Sequence, residues 1–417
     1  MKTKRARYCC GAAAPPKDLE DCGEALLRWW DRGHRSMPWR REAPLADRFQ
    51  WAYQVWVSEV MLQQTQVDRV VPYYEKWLAK WPTVDALAEA SIDEVRALWT
   101  GLGYYRRAAF LVEGAKQIVA MDAPPKTRDA WLKVKGVGPY TAAAIASICF
   151  DERVPVVDGN VVRVLARLRA VEEPNEKLWW RLAGEIVNAA CDRPGDANQA
   201  LMELGATVCT KANPSCDACP LRDECDGADN PERYYPFKKS KTTKPKRVRL
   251  LVCVLQRAAA TAADDRDLWT NGDFAILRRP EDDALLSGLW QLPSRLLETD
   301  DIDAEIDAVL EDLLPSVGGG GSNNNNNNNS DAVLRRARLT DDKPLAHSIT
   351  NRRYDIHVAW LVVDAAATTS GTTSSSSLEW CDEAGLAAKG ASSILAKALG
   401  KARSFALAAP PEKKRKG

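Results

Sequence analysis

No stretch of this 417-residue chain is apolar for long enough to cross a bilayer as a helix, so no membrane partner is expected. The basic opening, MKTKRARYCCGAAAPPK, lacks the hydrophobic stretch of a secretory signal. Charge of one sign is also missing: 58 Lys and Arg face 57 Asp and Glu, a net charge of +1. The balance is uneven along the chain, however. Residues 1–250 carry 39 basic against 33 acidic side chains, and the remainder 19 against 24. A polyanion would therefore dock on the first part. A disulfide framework is absent too. Cys9, Cys10, Cys22, Cys149, Cys191, Cys253 and Cys381 are scattered, as reduced intracellular thiols are.

What is present is a tight group of four other cysteines, Cys209, Cys216, Cys219 and Cys225, in TVCTKANPSCDACPLRDEC. Four thiolates so close can surround one metal centre, either a tetrahedral zinc or an iron–sulfur cubane. Zinc sites usually pair two short Cys-x-x-Cys units. One short gap between two longer ones suits a cluster with four separated corners better.

The chain divides by composition. Residues 1–17 read as a disordered basic tail, and 18–226 as an all-α domain closed off by the cysteine loop. Apolar residues recur there at helical spacing in EALLRWWDRG, VWVSEVMLQQTQVDRVVPYYEKWL and VDALAEASIDEVRALW. A polar, Lys-rich connector follows over 227–248. Residues 249–405 then read as a small α+β domain, with strands in LLVCVLQ, FAILRR and YDIHVAWLVV and helices in IDAEIDAVLEDLL and SSILAKALGKA. Low-complexity insertions at 318–330 and 365–377 interrupt it. Residues 406–417 include PPEKKRKG, a basic run like a nuclear import signal.

Three features carry chemistry. In LKVKGVGPYTAAAIA, Gly136 and Gly138 form a Gly-x-Gly turn between two helical patterns. Such a turn exposes backbone N–H groups at a helix start, an anion site suited to a nucleic-acid phosphate. Asp158, in VPVVDGNVVRVLARL, sits where a helix N-cap belongs, at a position from which a fixed carboxylate could also face a developing cation. Glu59 lies in VWVSEVML among Trp56, Val57, Val60, Met61 and Leu62. Such apolar company raises a carboxyl pKa and lets the group hold a proton near neutrality. A protonated acid beside a fixed carboxylate is the pair that breaks a glycosidic bond through an oxocarbenium-like state. In DNA that bond joins base to sugar, and an enzyme must flip the nucleotide out to reach it. Gln64 in LQQTQ and Tyr104 in GLGYY are candidates to fill the gap left behind.

A helix–hairpin–helix with Gly-Val-Gly, a downstream Asp and a Cys-x6-Cys-x2-Cys-x5-Cys loop together resemble the endonuclease III superfamily of DNA glycosylases. Within it, SEVMLQQTQV, LWTGLGYYRRA, VVDGNVVRVLAR and LMELGATVC closely resemble the adenine DNA glycosylase family of the MutY type, over about residues 25–230. The resemblance implies that Glu59 is the general acid that protonates adenine and Asp158 the carboxylate that meets the sugar cation. It implies that Tyr140 and Asn160 support the pair, that Gln64 and Tyr104 enter the duplex, and that the four cysteines bind a 4Fe–4S cluster. Bifunctional relatives carry a Lys where this chain has Tyr140, and a phenol cannot form a Schiff base. A monofunctional enzyme is expected.

Residues 249–405 resemble, more loosely, that family's C-terminal Nudix-like domain, with LLSGLWQLP as the clearest marker. There is no Glu-rich metal-binding box, so nucleotide hydrolysis is not expected. The family's lesion-reading loop, His-x-Phe-Ser-His, aligns with residues 347–351, where Thr350 keeps a hydroxyl but Ile349 and Asn351 replace the Phe and the last His. The connector lacks the extra cysteines that bind zinc in some relatives. The expected partner is duplex DNA with A:8-oxoguanine or A:G mispairs, handled by a monomer alongside repair and replication proteins, in the nucleus with a mitochondrial fraction. Two rivals are an endonuclease III-type enzyme for oxidised pyrimidines, which Tyr140 and the extra domain disfavour, and a lesion-binding scaffold without turnover.

Overall fold

The computed structural model describes residues 19–40, 47–173, 175–190, 192–237, 245–258, 267, 269–270, 272–280, 288–313, 334–340, 343–349, 352–364, 378–389 and 392–408. The expected tail 1–17, both low-complexity insertions and residues 409–417 lie outside them. Chain contacts divide the protein into two units, Met1–Ala90 with Phe110–Lys241, and Ser91–Ala109 with Thr242–Gly417.

The first unit is helical, and local signals set its helix ends. The helices are α1 (Glu20–Arg32), α2 (Arg48–Leu62), α3 (Val67–Lys80), α4 (Val84–Ala88), then, beyond an α5 (Ile92–Trp99) that belongs to the second unit, α6 (Arg106–Val119), whose first residues also belong there. After these come α7 (Arg128–Trp131), α8 (Pro139–Phe150), α9 (Gly159–Leu168), α10 (Glu176–Ala189), α11 (Pro194–Thr207) and α12 (Pro231–Tyr234). Asp47, Thr83, Thr127, Asp158 and Asn175 each accept a backbone N–H at the helix start they cap. Two helices have no polar face. In α2 every residue from Val55 to Met61 is buried, and in α8 every residue from Thr141 to Cys149. Packed against each other, they form the centre of the unit.

Between α7 and α8 runs the expected hairpin. Gly136 has φ 77°, and a Cβ there would lie 2.4 Å from the Cβ of Phe110, so only glycine allows α6 to approach this turn. Gly138 precedes α8, with Pro139 in its first turn.

The connector expected over 227–248 begins as packed chain instead. The Gly227 N–H donates to the Arg167 carbonyl at 3.0 Å, Arg167 donates to the carbonyls of Pro231 and Tyr235, and Phe237 stacks near Trp179. A buried guanidinium needs acceptors, and these backbone carbonyls supply them. Residues 238–244 lie outside the described set, and strand pairing begins at Lys246.

In the second unit β1 (Lys246–Ala258) lies parallel to β7 (Arg352–Asp364), in register from Lys246 opposite Arg352 to Ala258 opposite Asp364. Around this pair the sheet runs β3 (Trp290–Gln291), β2 (Asp273–Arg278), β1, β7, β5 (Leu334–Leu339), with β4 (Ser294–Leu296) on β1, β6 (Leu345–Ile349) on β7 and β8 (Leu378–Cys381) on β2. Both faces of the central pair are covered, which is why its sequence reads as continuous apolar runs. Val252, Val254, Ile356, Val358 and Trp360 share a core with Leu395, Ala398 and Ala402 of α15 (Ser393–Ala408). Leu251, Cys253, Leu255, Ala359 and Leu361 share another with Ile306, Val309 and Leu310 of α13 (Ile302–Leu313). The final helix extends past the domain end expected at 405. Helix α5, part of the helical stretch 18–226 in the sequence reading, makes its contacts in this unit. Arg96 donates to the Gly288 carbonyl, Asp93 pairs with Arg278, and α5 packs on α14 (Glu383–Ala388).

Gly136→Ala should lower stability by at least about 2 kcal/mol, because it adds a left-handed backbone penalty to a steric overlap. Gly184→Ala in α10, where the new Cβ meets nothing closer than Pro155 at 3.8 Å, should raise it by about 0.5–1 kcal/mol. Thermal unfolding of both variants checks the contrast.

Candidate active site and cysteine loop

A cleft in the first unit gathers most of the chemistry-bearing residues. Glu59, Gln64, Gly136, Gly138, Tyr140, Asp158 and Asn160 all line it. Four stretches of chain supply them: α2 and the turn after it, the hairpin, the start of α8 and the start of α9.

Glu59 sits near the end of α2, only 6% exposed. Burial pushes its pKa up, the hydrogen bond from Tyr140 pulls it back, nearby Asp158 adds to the rise, Arg40 opposes it, and the result is about 7. The Tyr140 hydroxyl donates to Glu59 Oε2 at 2.6 Å, and Met202 Sδ lies 3.3 Å from the Tyr140 hydroxyl oxygen. Burial and the neighbouring carboxylates push the Tyr140 phenol well above its ordinary pKa, so it stays a donor.

Asp158 does cap α9. Its Oδ1 accepts the Val161 N–H at 2.7 Å, and its Oδ2 accepts the Asn160 side-chain amide at 2.7 Å. Burial raises its pKa, and these donors together with Arg163 oppose the rise. The approach to Asp158 is held by Asn198, a fully buried amide that accepts from the Val156 N–H and donates to Ser147 Oγ and the Val154 carbonyl. Asn160 in turn accepts from Arg163, which also donates to the carbonyls of Gly205 and Cys209. Gly205 leaves no room for a side chain, since a Cβ there would lie 2.7 Å from that of Asn160. One chain of hydrogen bonds thus runs from the carboxylate to the first cysteine.

The turn bearing Gln64 has left-handed backbone there, φ 57° on an exposed non-glycine residue. Such conformations cost of order 1 kcal/mol and mark places where the fold over-determines the chain. Tyr104 shares the property, with φ 49° and 53% exposure, but it belongs to the second unit. Thr350 and Asn351 lie outside the described residues. His347, on β6, is tied to α15 through Ser393 and Lys397.

Sequence reasoning missed one cluster in the same cleft. Glu203 is buried and accepts two hydrogen bonds from the Arg35 guanidinium, at 2.7 and 2.9 Å, and one from Arg40 at 2.9 Å. Burial alone would raise its pKa, but the two arginines hold it below the ordinary carboxylate value. Arg40 also lies 4.9 Å from the centre of the Trp30 ring. The residues sit in GHRSMPWRR and LMELGATVC, too far apart for spacing to relate them.

The four clustered cysteines line one small pocket of about 30 Å3, walled also by Arg167 and Arg222. Arg167 is 2% exposed and donates to Cys209 Sγ at 3.4 Å and to the Thr210 carbonyl at 2.7 Å. Burial, with the neighbouring thiols, pushes Cys219 up to about 12 and Cys225 to about 11. Among the described residues no three His, Cys, Asp or Glu close on a single-ion position. Four thiols round one pocket are a donor set that can hold a metal centre.

Comparison with known proteins agrees with this geometry. The family model of the HhH-GPD superfamily of base excision DNA repair proteins matches residues 57–188. Among curated relatives, the adenine DNA glycosylase of Arabidopsis thaliana is 44% identical over 304 residues, 65% of this chain and 47% of the relative. That of Homo sapiens is 40% identical over 320 residues, 65% of this chain and 56% of the relative. That of Schizosaccharomyces pombe is 35% identical over 332 residues, 66% of this chain and 70% of the relative. The chain therefore spans about half of the first two and over two thirds of the third.

The raised carboxyl has a consequence for stability. Its native pKa of about 7 lies above the unfolded value of 4.5, so the native state binds the proton more tightly, and stability falls as pH rises from the lower value to the higher. Glu59→Gln has no proton to lose. It should be more stable than the parent by about 3 kcal/mol at about pH 8, with the gain gone by about pH 4. Melting temperatures of the pair across that range check this.

Proposed function

The chain belongs to the adenine DNA glycosylase family, a helix–hairpin–helix glycosylase fold followed by a separate sheet unit, and from that premise we propose that it removes adenine mispaired with 8-oxoguanine or guanine in base excision repair. The observation that carries the reading is the buried Glu59 under the Tyr140 hydroxyl, with Asp158 fixed across the same cleft.

The chemistry follows from the two carboxyls. The adenine nucleotide leaves the duplex and enters the cleft, at a cost of a few kcal/mol that a mispair reduces. Glu59 transfers its proton to the purine ring, which makes the base a neutral leaving group. The bond between sugar C1′ and the base breaks, its electron pair leaves with the base, and positive charge develops on the sugar. Asp158 faces that charge, and water finally adds its hydroxyl to C1′ while its remaining proton returns to the ionised Glu59. Tyr140 keeps its proton and steadies Glu59. With no amine at its position, the reaction ends at the abasic site.

Cys209, Cys216, Cys219 and Cys225 would hold a 4Fe–4S cluster, which when bound pins the loop after α11 and supplies the positive charge that keeps four thiolates together. The second unit is read as the Nudix-like domain that senses 8-oxoguanine, with Thr350 as the hydroxyl of its reading loop. A monomeric enzyme working in the nucleus, with a mitochondrial share and in company with replication and repair proteins, completes the proposal.

Single-turnover kinetics on an A:8-oxoguanine duplex test it. Glu59→Gln should bind the duplex like the parent and release adenine slower by about 10²–10⁴-fold. The parent should give free adenine and an intact abasic strand. Undiminished release by the variant would remove Glu59 from the mechanism, and strand scission without alkali, abolished by replacing a lysine, would contradict monofunctional chemistry.

A further inference from the structure

Within the second unit, the residues around Tyr104 are held by two buried arginines that the mechanism above does not use. Arg96, on α5, is 2% exposed, and its Nη1 donates to the Gly288 carbonyl at 2.8 Å. Gly288 lies in the LLSGLWQLP segment and has left-handed backbone, φ 64°, which glycine adopts without strain. The Arg96 carbonyl accepts from Thr100 Oγ1 at 3.0 Å, which starts the loop. From there the backbone is left-handed at Gly101 (φ 102°), Gly103 (φ 75°) and Tyr104 (φ 49°). Trp99 Nε1 donates to the Gly103 carbonyl at 2.9 Å. Arg107, 7% exposed, donates to the carbonyls of Leu102 and Gly103 and lies 5.2 Å from the Trp99 ring and 5.5 Å from the Tyr104 ring. The outcome is a Tyr104 ring presented to solvent on a loop in which the backbone has little freedom.

A buried guanidinium is a poor way to gain stability, since its desolvation offsets much of what its hydrogen bonds return. What it provides is direction. Arg96 joins helix α5, and through it the Tyr104 loop, to a turn more than 180 residues further along the chain. We propose that Arg96 is a positioning residue that makes the Tyr104 loop and the Gly288 turn one preorganised DNA-recognition element, so that the second unit sets the placement of the inserted tyrosine. This rests on the reading of Tyr104 as a residue that enters the duplex. Arg107 shapes the loop itself, and Arg96 anchors it.

The test is a double-mutant cycle on the full-length protein with an A:8-oxoguanine duplex carrying 2-aminopurine beside the mispair. The readouts are dissociation constant, 2-aminopurine fluorescence and single-turnover release. Arg96→Met should weaken duplex binding about tenfold, the size of a lost hydrogen bond from a buried charged donor. It should also reduce the fluorescence rise that reports unstacking. On a Tyr104→Ala background the same change should add nothing, because Arg96 acts through the tyrosine. Arg96→Lys, which keeps a donor, should recover part of the loss. If Tyr104→Ala impairs binding and Arg96→Met is silent, or the two losses add in full, the proposal is overturned while the reading of Tyr104 stands. If Tyr104→Ala itself is silent, that reading falls and the proposal with it. Should Arg96→Met not fold, Arg96→Gln carries the same cycle.

Discussion

A carboxyl group on a helix with no polar face is the constraint on which the rest of the first unit depends. Around Glu59 every residue of α2 from Val55 to Met61 is buried. Turning the helix would not bring the carboxyl to water without exposing Trp56 or Met61, each worth about 2 kcal/mol or more of burial. The group therefore stays inside, and its charge is what the fold makes expensive. Tyr140 meets it from α8, the other helix without a polar side, and satisfies one oxygen without neutralising it. The destabilisation is local and serves reactivity, as strained or costly groups at functional sites do.

Everything else near the site restricts motion. Asn198 holds the segment that leads to Asp158, and Asn160 and Arg163 hold Asp158 from the far side. Arg163 and Arg167 lie one helical turn apart on α9, and both end on the cysteine loop, one at the Cys209 carbonyl and the other at its sulfur. The loop and the carboxylate are thus two ends of one helix. Satisfied buried networks of this kind specify a single arrangement more than they add stability.

Much of this was legible in the sequence, for reasons that differ by residue. Glu59 stood out because a charged letter interrupts an apolar run. Asp158 stood out because a helix start follows it, and the cysteines because of their spacing. The hairpin glycines were legible because only glycine tolerates the angles and the approach of Phe110. The Glu203 cluster was not, since an ion pair between residues 163 positions apart leaves no local signature. Nor were the contacts that tie α5 to distant chain, Arg96 to the Gly288 carbonyl and Asp93 to Arg278, for the same reason. Residues 227–237 look like a linker by composition, yet the carbonyls that a buried Arg167 requires draw them onto the helical unit.

The central claim is that Glu59 keeps its proton near neutrality because the fold denies it water. Carboxyl carbon-13 NMR of glutamate-labelled protein, with the Glu59 resonance assigned by its loss in Glu59→Gln, measures this directly. The claim requires a titration midpoint of about 7 for that resonance, against 4.5 for an ordinary glutamate. A midpoint at the ordinary value would show a hydrated, ionised side chain and contradict the account.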